Sequence, residues 1–172
     1  MRHTVVRMET NFGVIDIELY DDRAPITVGN FLKYVSMGHY NGTIFHRVID
    51  GFMIQGGGFL PNMVEKPTPF GPIVNEAAKS GIRNKRGTIA MARTSEPNSA
   101  TSQFFINLVD NGFLDWDYPK GDGYGYCVFG TVINGMDVVD KIAKVQTRNV
   151  GIHENVPVQP VIINRVYVIG QK

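Results

Sequence analysis

The side chains that most often carry enzyme chemistry are scattered along this sequence rather than grouped in a known spacing. The four histidines have no metal-ligand spacing; they are His3, His39, His46 and His153. Gly56–Gly58 lacks the Gly-Lys-Ser/Thr ending of a phosphate-binding loop. Asp115 begins a run that looks like a calcium loop, but Pro119 replaces a ligand. We therefore expect no metal, no cofactor and no covalent nucleophile.

Four blocks of sequence carry a denser pattern. Residues 45–57 read FHRVIDGFMIQGG, and the later blocks are 90–93 with 98–106 (AMAR and NSATSQFFI), 113–115 (FLD) and 128–130 (VFG). In content and in order, these blocks resemble the signatures of the cyclophilins, a family of peptidyl-prolyl cis-trans isomerases. The resemblance extends over residues 4–169, and four ordered blocks are far more specific than a single motif.

The resemblance implies an active site, position by position. Arg47 matches the family's catalytic arginine. The walls of the family's proline pocket correspond to Phe52, Met53, Phe105 and Leu114. Gln55 matches a polar anchor at the edge of that pocket, and Gln103 matches another anchor nearby. The family's substrate backbone runs beside the positions of Ala92, Arg93 and Thr94. On the same grounds, Phe104 belongs to the barrel core.

Three positions depart from the pattern common in eukaryotic members: Arg93 replaces an asparagine, Phe113 a tryptophan and Tyr126 a histidine. Phe113 and Tyr126, together with the longer loop at 115–125, are similar to the bacterial branch. The family's tryptophan hydrogen-bonds the drug cyclosporin through its indole N–H, which phenylalanine lacks. The resemblance therefore implies a peptide site that binds cyclosporin with reduced affinity. Phe113 and Tyr126 still belong to the expected substrate-binding residues.

An arginine beside an apolar pocket suits proline isomerisation on chemical grounds. The X–Pro bond rotates over about 20 kcal/mol because amide resonance opposes the twist. At the twisted transition state the nitrogen becomes pyramidal and basic, so a donor aimed at it binds that state best. Arg47 stays charged and offers several planar N–H donors.

The elements that must position these residues are predominantly strands. Residues 3–19 predict a hairpin, and residues 43–60, 88–92, 104–108, 126–132 and 161–169 predict further strands. Helical spacing follows Pro25 and recurs over residues 136–145. Residues 61–86 and 110–125 are rich in proline or glycine and predict loops. The resemblance implies a mainly β fold, a closed eight-stranded antiparallel β-barrel capped by two α-helices, and the element count agrees.

Length and composition bound the remaining possibilities. The 172 residues suit one domain spanning residues 1–172. A formal charge of +1 gives no strong field for nucleic acid or for an acidic membrane. Apolar runs are too short for a membrane span, and Cys127 has no partner for an internal disulfide. We expect a cytoplasmic monomer whose partners are proline-containing peptides and unfolded proteins.

Two other functions fit the same residues. A binding module could hold proline-containing peptides in the same pocket, with turnover incidental. A β-barrel carrier of a small apolar ligand would need a hollow interior. Only catalysis requires Arg47, and the large apolar residues predict a filled barrel rather than a hollow one.

Overall fold

The computed structural model describes residues 2–172. Ten strands are present: β1 (Thr4–Thr10), β2 (Gly13–Leu19), β3 (Ile44–Ile49), β4 (Met53–Phe59), β5 (Thr88–Met91), β6 (Phe104–Asn107), β7 (Val128–Asn134), β8 (Thr147–Val150), β9 (His153–Pro157) and β10 (Ile163–Gln171). The helices are α1 (Pro25–Ser36), α2 (Ala77–Ser80) and α3 (Met136–Ala143), with a 3-10 turn at Gly112–Leu114. No helix in the described part of the chain is long and apolar enough to cross a membrane.

Eight strands form one antiparallel sheet in the order β10-β1-β2-β7-β5-β6-β4-β3. The expected closed barrel is therefore wrong at the level of the strand ladder, which is an open half-barrel ending at β10 and β3. The two edges are joined over a short stretch: Ile44 bridges Ile162, and the Phe45 N–H donates to the Val161 carbonyl at 3.0 Å. Ile163 at the start of β10 adds two bonds, its N–H donating to the Thr43 carbonyl at 2.8 Å and its carbonyl accepting from the Gly42 N–H at 2.7 Å. The rest of β10 forms no ladder with β3.

Helix α1 closes one end of the curved sheet. Pro25 stands in its first turn, where a missing N–H costs nothing, and Phe31 and Tyr34 are fully buried against the strands. The Thr27 N–H and hydroxyl both donate to Glu76 Oε1 at 2.7 Å. A buried carboxylate from a distant loop thus satisfies donors that the helix itself leaves unpaired.

The interior of the half-barrel is filled by aromatic and aliphatic side chains. Tyr40, Phe45, Phe104 and Phe129 are fully buried, and neighbouring rings meet edge to face at centroid distances of 5.5 and 5.9 Å. This packing contradicts the hollow interior that a small-ligand carrier would need. Burial raises the pKa of the Cys127 thiol, just before β7, to about 12, so this residue is an unreactive core thiol.

The structure adds one helix, α2, and a second, two-stranded sheet to the predicted elements. Helix α2 has only four residues and lies inside the predicted loop over residues 61–86, so it is too short to show a helical period. The β8–β9 hairpin follows α3, and most of its residues are partly or fully exposed. Because neither strand of this hairpin buries one whole face, apolar and polar residues do not alternate along it, and the sequence gives no strand signal there. The hairpin packs beside β3 and so reaches the neighbourhood of Arg47.

Candidate active site

A surface cavity of about 110 Å³ brings together most of the predicted site. Nine residues line it: Arg47, Phe52, Met53, Gln55, Ala92, Arg93, Phe105, Leu114 and Tyr126. They come from β3, β4 and β6, from the turn between β3 and β4, and from the segments that follow β5 and precede β7. We call this cavity the proline pocket. Of the predicted residues, Gln103 lies in an adjoining cavity and Phe113 lies at the rim.

Strand register places three of these side chains in one row across the sheet. Arg47 on β3 pairs with Gln55 on β4, and Gln55 pairs with Phe105 on β6. Residues directly opposite each other point to the same face, so all three project from the outer face. Phe104 points the other way into the core, as the resemblance implies.

A β-bulge at His46 aims Arg47 outward. Phe45 pairs with Gly56 while Arg47 pairs with Gln55, so two steps on β3 match one step on β4. In a regular strand Phe45 and Arg47 would share a face; here Phe45 is fully buried and Arg47 is half-buried at the pocket. The extra residue re-aims a side chain, which is a common use of bulges near active sites.

The Arg47 guanidinium forms no ion pair and no side-chain hydrogen bond with any residue among 2–172. Its carbon Cζ lies 5.9 Å from the centre of the Phe52 ring. Its neighbour His46 is buried, and burial, followed by the charges of His153 and Arg47, lowers the pKa of His46 to about 4. His46 is therefore neutral near neutral pH and does not repel the guanidinium.

The floor and walls of the proline pocket are apolar. Met53, Phe105 and Leu114 are at least nine-tenths buried. Phe52 lies in the turn before β4 rather than in the strand, which is why it and Met53 can face the same cavity. Two neighbours in a regular strand would point to opposite sides.

Two glutamines form the polar edge of the pocket. Gln55 Nε2 donates to Gln103 Oε1 at 3.0 Å, and the Gln103 side chain lies over Gly58. A Cβ at Gly58 would come within 2.5 Å of Gln103 Nε2. The glycine run at 56–58 therefore serves close packing around this edge.

The Arg93 side chain, which borders the pocket, is bonded to the 110–125 loop. Its Nη2 donates to Asp122 at 2.7 Å, its Nε donates to the Gly125 carbonyl at 3.0 Å, and its Cζ lies 4.5 Å from the centre of the Tyr126 ring. The Arg93 side chain is only 5% exposed, so this contact is firmly held. Backbone N–H groups of Tyr124 and Gly125, together with Arg93, hold the pKa of Asp122 at about 2.

Two aromatic residues flank the apolar walls. Phe113 stacks on Phe52 with ring centres 5.7 Å apart, yet half of its side-chain surface is exposed, so it borders the pocket without lining it. Tyr126 meets Phe105 edge to face at 5.8 Å and lines the pocket directly.

Buried asparagines hold these walls in place, and sequence reasoning missed them. Asn111 Nδ2 donates to the Phe52 carbonyl at 3.0 Å. Asn84 Nδ2 donates to the carbonyls of Leu114 and Tyr126 at 3.3 and 3.2 Å. Asparagine is common in turns, so nothing in its local sequence distinguishes such a buried role.

An unpaired guanidinium beside an apolar cavity, on the outer face of a β half-barrel, is the arrangement that the resemblance to the cyclophilins implies. The family described as cyclophilin type peptidyl-prolyl cis-trans isomerase/CLD matches residues 5–168. The chain belongs to this family and is a peptidyl-prolyl cis-trans isomerase.

Relatives and solved structures agree with this assignment. A peptidyl-prolyl cis-trans isomerase of Acinetobacter baylyi is 59% identical over 168 residues, covering 98% of this chain and 87% of the relative. Peptidyl-prolyl cis-trans isomerase B of Escherichia coli is 57% identical over 164 residues, covering 95% and 99%. A crystal structure of a Cryptosporidium parvum cyclophilin type isomerase superposes with a TM-score of 0.83 at 27% identity, covering 99% of both chains. The same Cryptosporidium protein has been solved in the presence of the dipeptide Ala-Pro.

Proposed function

We propose that this isomerase acts on X–Pro bonds in flexible or unfolded protein segments, with Arg47 as the catalytic residue. The observation that carries the proposal is the unpaired Arg47 guanidinium beside the apolar proline pocket. Met53, Phe105 and Leu114 would hold the proline ring while the preceding carbonyl rotates. Arg47 would then donate to the prolyl nitrogen when that nitrogen becomes pyramidal.

The energies set the share of the barrier that Arg47 can remove. A charge-assisted hydrogen bond contributes roughly 1.5–3 kcal/mol net, and more where water is excluded. An acceleration of 10⁵ needs about 7 kcal/mol at roughly 1.36 kcal/mol per decade. Two other effects must supply the remainder. The pocket holds the proline ring in place, and the exclusion of water favours the twisted amide, which is less dipolar than the planar forms.

Free backbone groups beside the pocket support peptide binding. The Ala92 N–H donates to the Gln103 carbonyl, but the Ala92 carbonyl and the Arg93 N–H have no hydrogen-bond partner among residues 2–172. An extended substrate backbone could pair with both groups, as a strand adds to a sheet edge. Gln55, Gln103 and Tyr126 would contact the residues around the proline, and Phe113 would contact them at the rim.

A peptide-binding module without turnover is the alternative, because an apolar pocket serves either role. The test is an isomerisation assay on a short X–Pro peptide with the wild type, Arg47→Ala and Arg47→Lys. We expect Arg47→Ala to lower kcat/KM by about 10- to 150-fold, from the loss of one charge-assisted hydrogen bond. Arg47→Lys should rescue poorly because an ammonium cannot reproduce the planar fork. Unchanged turnover in Arg47→Ala would refute the catalytic role, and a wild type that binds without turnover would favour the module.

The proposal also covers domain organisation, compartment, oligomeric state, cofactor use, role in folding and cyclosporin binding. One core joins both longer helices to the sheet, which supports a single domain over residues 1–172. The buried thiol of Cys127 suits a reducing, cytoplasmic compartment. We propose that the chain works there as a monomer without a cofactor and assists folding. Cyclosporin would bind the same pocket more weakly than it binds relatives that carry tryptophan at position 113.

A further inference from the structure

A second cavity, of about 210 Å³, adjoins the proline pocket. The two cavities share Gln55, Ala92 and Arg93 as a common wall. The remaining lining residues of the second cavity are polar: Glu65, Thr94, Ser99, Thr101 and Gln103. We call this cavity the Glu65 subsite. A peptide that places its proline in the first cavity would carry a neighbouring side chain past the second one.

The Glu65 carboxylate carries the uncompensated charge of this subsite. Arg93 also borders the cavity, but its guanidinium is paired with Asp122 at 2.7 Å. Glu65 has no ion-pair partner among residues 2–172. The adjacent Lys66 donates its Nζ to the His39 carbonyl at 2.7 Å, so its charge is held elsewhere.

Backbone pairing fixes the position of Glu65. Glu65 forms a β-bridge with Phe59 at the end of β4. On either side of this bridge, the Leu60 N–H donates to the Val64 carbonyl at 3.0 Å and the Lys66 N–H donates to the Gly58 carbonyl at 2.8 Å. Glu65 is therefore held beside the end of β4, the strand that carries Gln55.

The opposite wall is an ordered turn that offers only neutral groups. The Thr94 N–H donates to Ser99 Oγ at 3.0 Å, and Ser99 Oγ donates to the Glu96 carbonyl at 2.7 Å. Thr101 and Gln103 add a hydroxyl and an amide. One carboxylate among otherwise neutral or already paired groups suits a long cationic side chain, because the flexible stem of a lysine or arginine lets its charged end reach the anion.

We propose that the Glu65 subsite binds a lysine or arginine side chain of the substrate, and that Glu65 thereby selects X–Pro segments with a nearby cation. This inference rests on the proposed function, since it takes the adjoining cavity as the proline pocket. The carboxylate is exposed, so the preference should be modest and weakened by salt.

The test uses X–Pro peptides that carry either lysine or acetyl-lysine at one flanking position, from three residues before the proline to two residues after it. Acetylation removes the charge and keeps the stem. At low salt we expect lysine to raise kcat/KM by about 2- to 5-fold at one of these positions, as an exposed ion pair allows. The gain should disappear in Glu65→Gln and shrink at high salt.

Glu96→Gln is the matched control, because Glu96 is an exposed acid on the facing turn that does not line the cavity. The lysine gain should survive in this variant. Three outcomes would overturn the proposal: no gain at any position, a gain retained in Glu65→Gln, or a gain abolished equally by Glu96→Gln.

Peptide dissociation constants, measured in parallel, separate this inference from the proposed function. A Glu65-dependent preference for lysine in binding, without turnover, would support the subsite and refute catalysis. Turnover with no difference between lysine and acetyl-lysine peptides would support catalysis and refute the Glu65 subsite.

Discussion

Replacing Gly58 by alanine should weaken catalysis while leaving the fold stable. The new Cβ would lie 2.5 Å from Gln103 Nε2 and 2.6 Å from its Cδ and Cγ. These atoms belong to a flexible side chain, so Gln103 can rotate away, but its 3.0 Å hydrogen bond from Gln55 is then lost. A neutral hydrogen bond contributes about 0.5–1.5 kcal/mol, which corresponds to about a 2- to 12-fold fall in kcat/KM.

Gly57→Ala provides the matched control, one residue away. Gly57 has a φ of +90°, and its added Cβ would lie 2.8 Å from the buried rings of Phe104 and Tyr40. Backbone strain and overpacking together should lower the free energy of unfolding by about 2–5 kcal/mol. Gly58→Ala should lower it by less than about 1 kcal/mol, because the clashing side chain can move.

The assay pairs kcat/KM on an X–Pro peptide with urea unfolding for both variants. We expect Gly58→Ala to lose activity with near-native stability and Gly57→Ala to lose stability first. If Gly58→Ala keeps full kcat/KM, the Gln55–Gln103 pair is not part of the substrate site. If Gly58→Ala unfolds at as low a urea concentration as Gly57→Ala, the Gln103 side chain cannot move away from the added Cβ.

Three further perturbations address other parts of the molecule. The His3 ring donates hydrogen bonds to the carboxylates of Glu18 and Asp22, and these bonds, the one to Glu18 first, raise the pKa of His3 above 6.5. The stability that His3 adds is therefore complete below pH 6.5 and is lost as the pH rises through the folded-state pKa. Urea unfolding of His3→Gln should therefore differ from the wild type at about pH 5.5 and converge with it by about pH 9; a constant difference would contradict this linkage. Asp122→Asn should raise KM about 3- to 10-fold with little change in kcat, because it releases the Arg93 guanidinium that holds the loop beside Tyr126. If steady-state kinetics show a loss of kcat instead, the Arg93–Asp122 pair acts in the chemical step. Phe113→Trp should tighten cyclosporin inhibition by about 2- to 12-fold through one added indole N–H, and equal inhibition of both proteins would refute the role of that donor.

The aromatic core and the residues of the proline pocket could be predicted from the sequence. The block at residues 45–57 and the later blocks placed Arg47, Met53 and Phe105 at one site, and the structure brings them to one cavity. Alternating and helical patterns also located the strands and helices that bury a face, including α1 and α3. These features leave a periodic trace because burial acts on one side of each element.

Features that arise from contacts between distant parts of the chain could not be predicted from the sequence. The bulge at His46 depends on how β3 pairs with β4, and no local sequence pattern indicates that β3 carries an extra residue there. The Arg93 side chain meets Asp122 across 29 residues, and Glu76 meets Thr27 across 49. The expected barrel closure also failed for this reason, because it depends on where two distant strand edges happen to meet.

The role of Arg47 is tested most directly by separating binding from rotation on the same peptide. Magnetisation-exchange NMR on a bound X–Pro peptide gives the cis-trans rate at the site, and a titration gives the dissociation constant. If the guanidinium stabilises the twisted amide more than the planar forms, Arg47→Ala should slow the exchange about 10- to 150-fold while the dissociation constant changes less than about 3-fold. A variant that binds much more weakly but rotates the bound peptide at the wild-type rate would contradict the account.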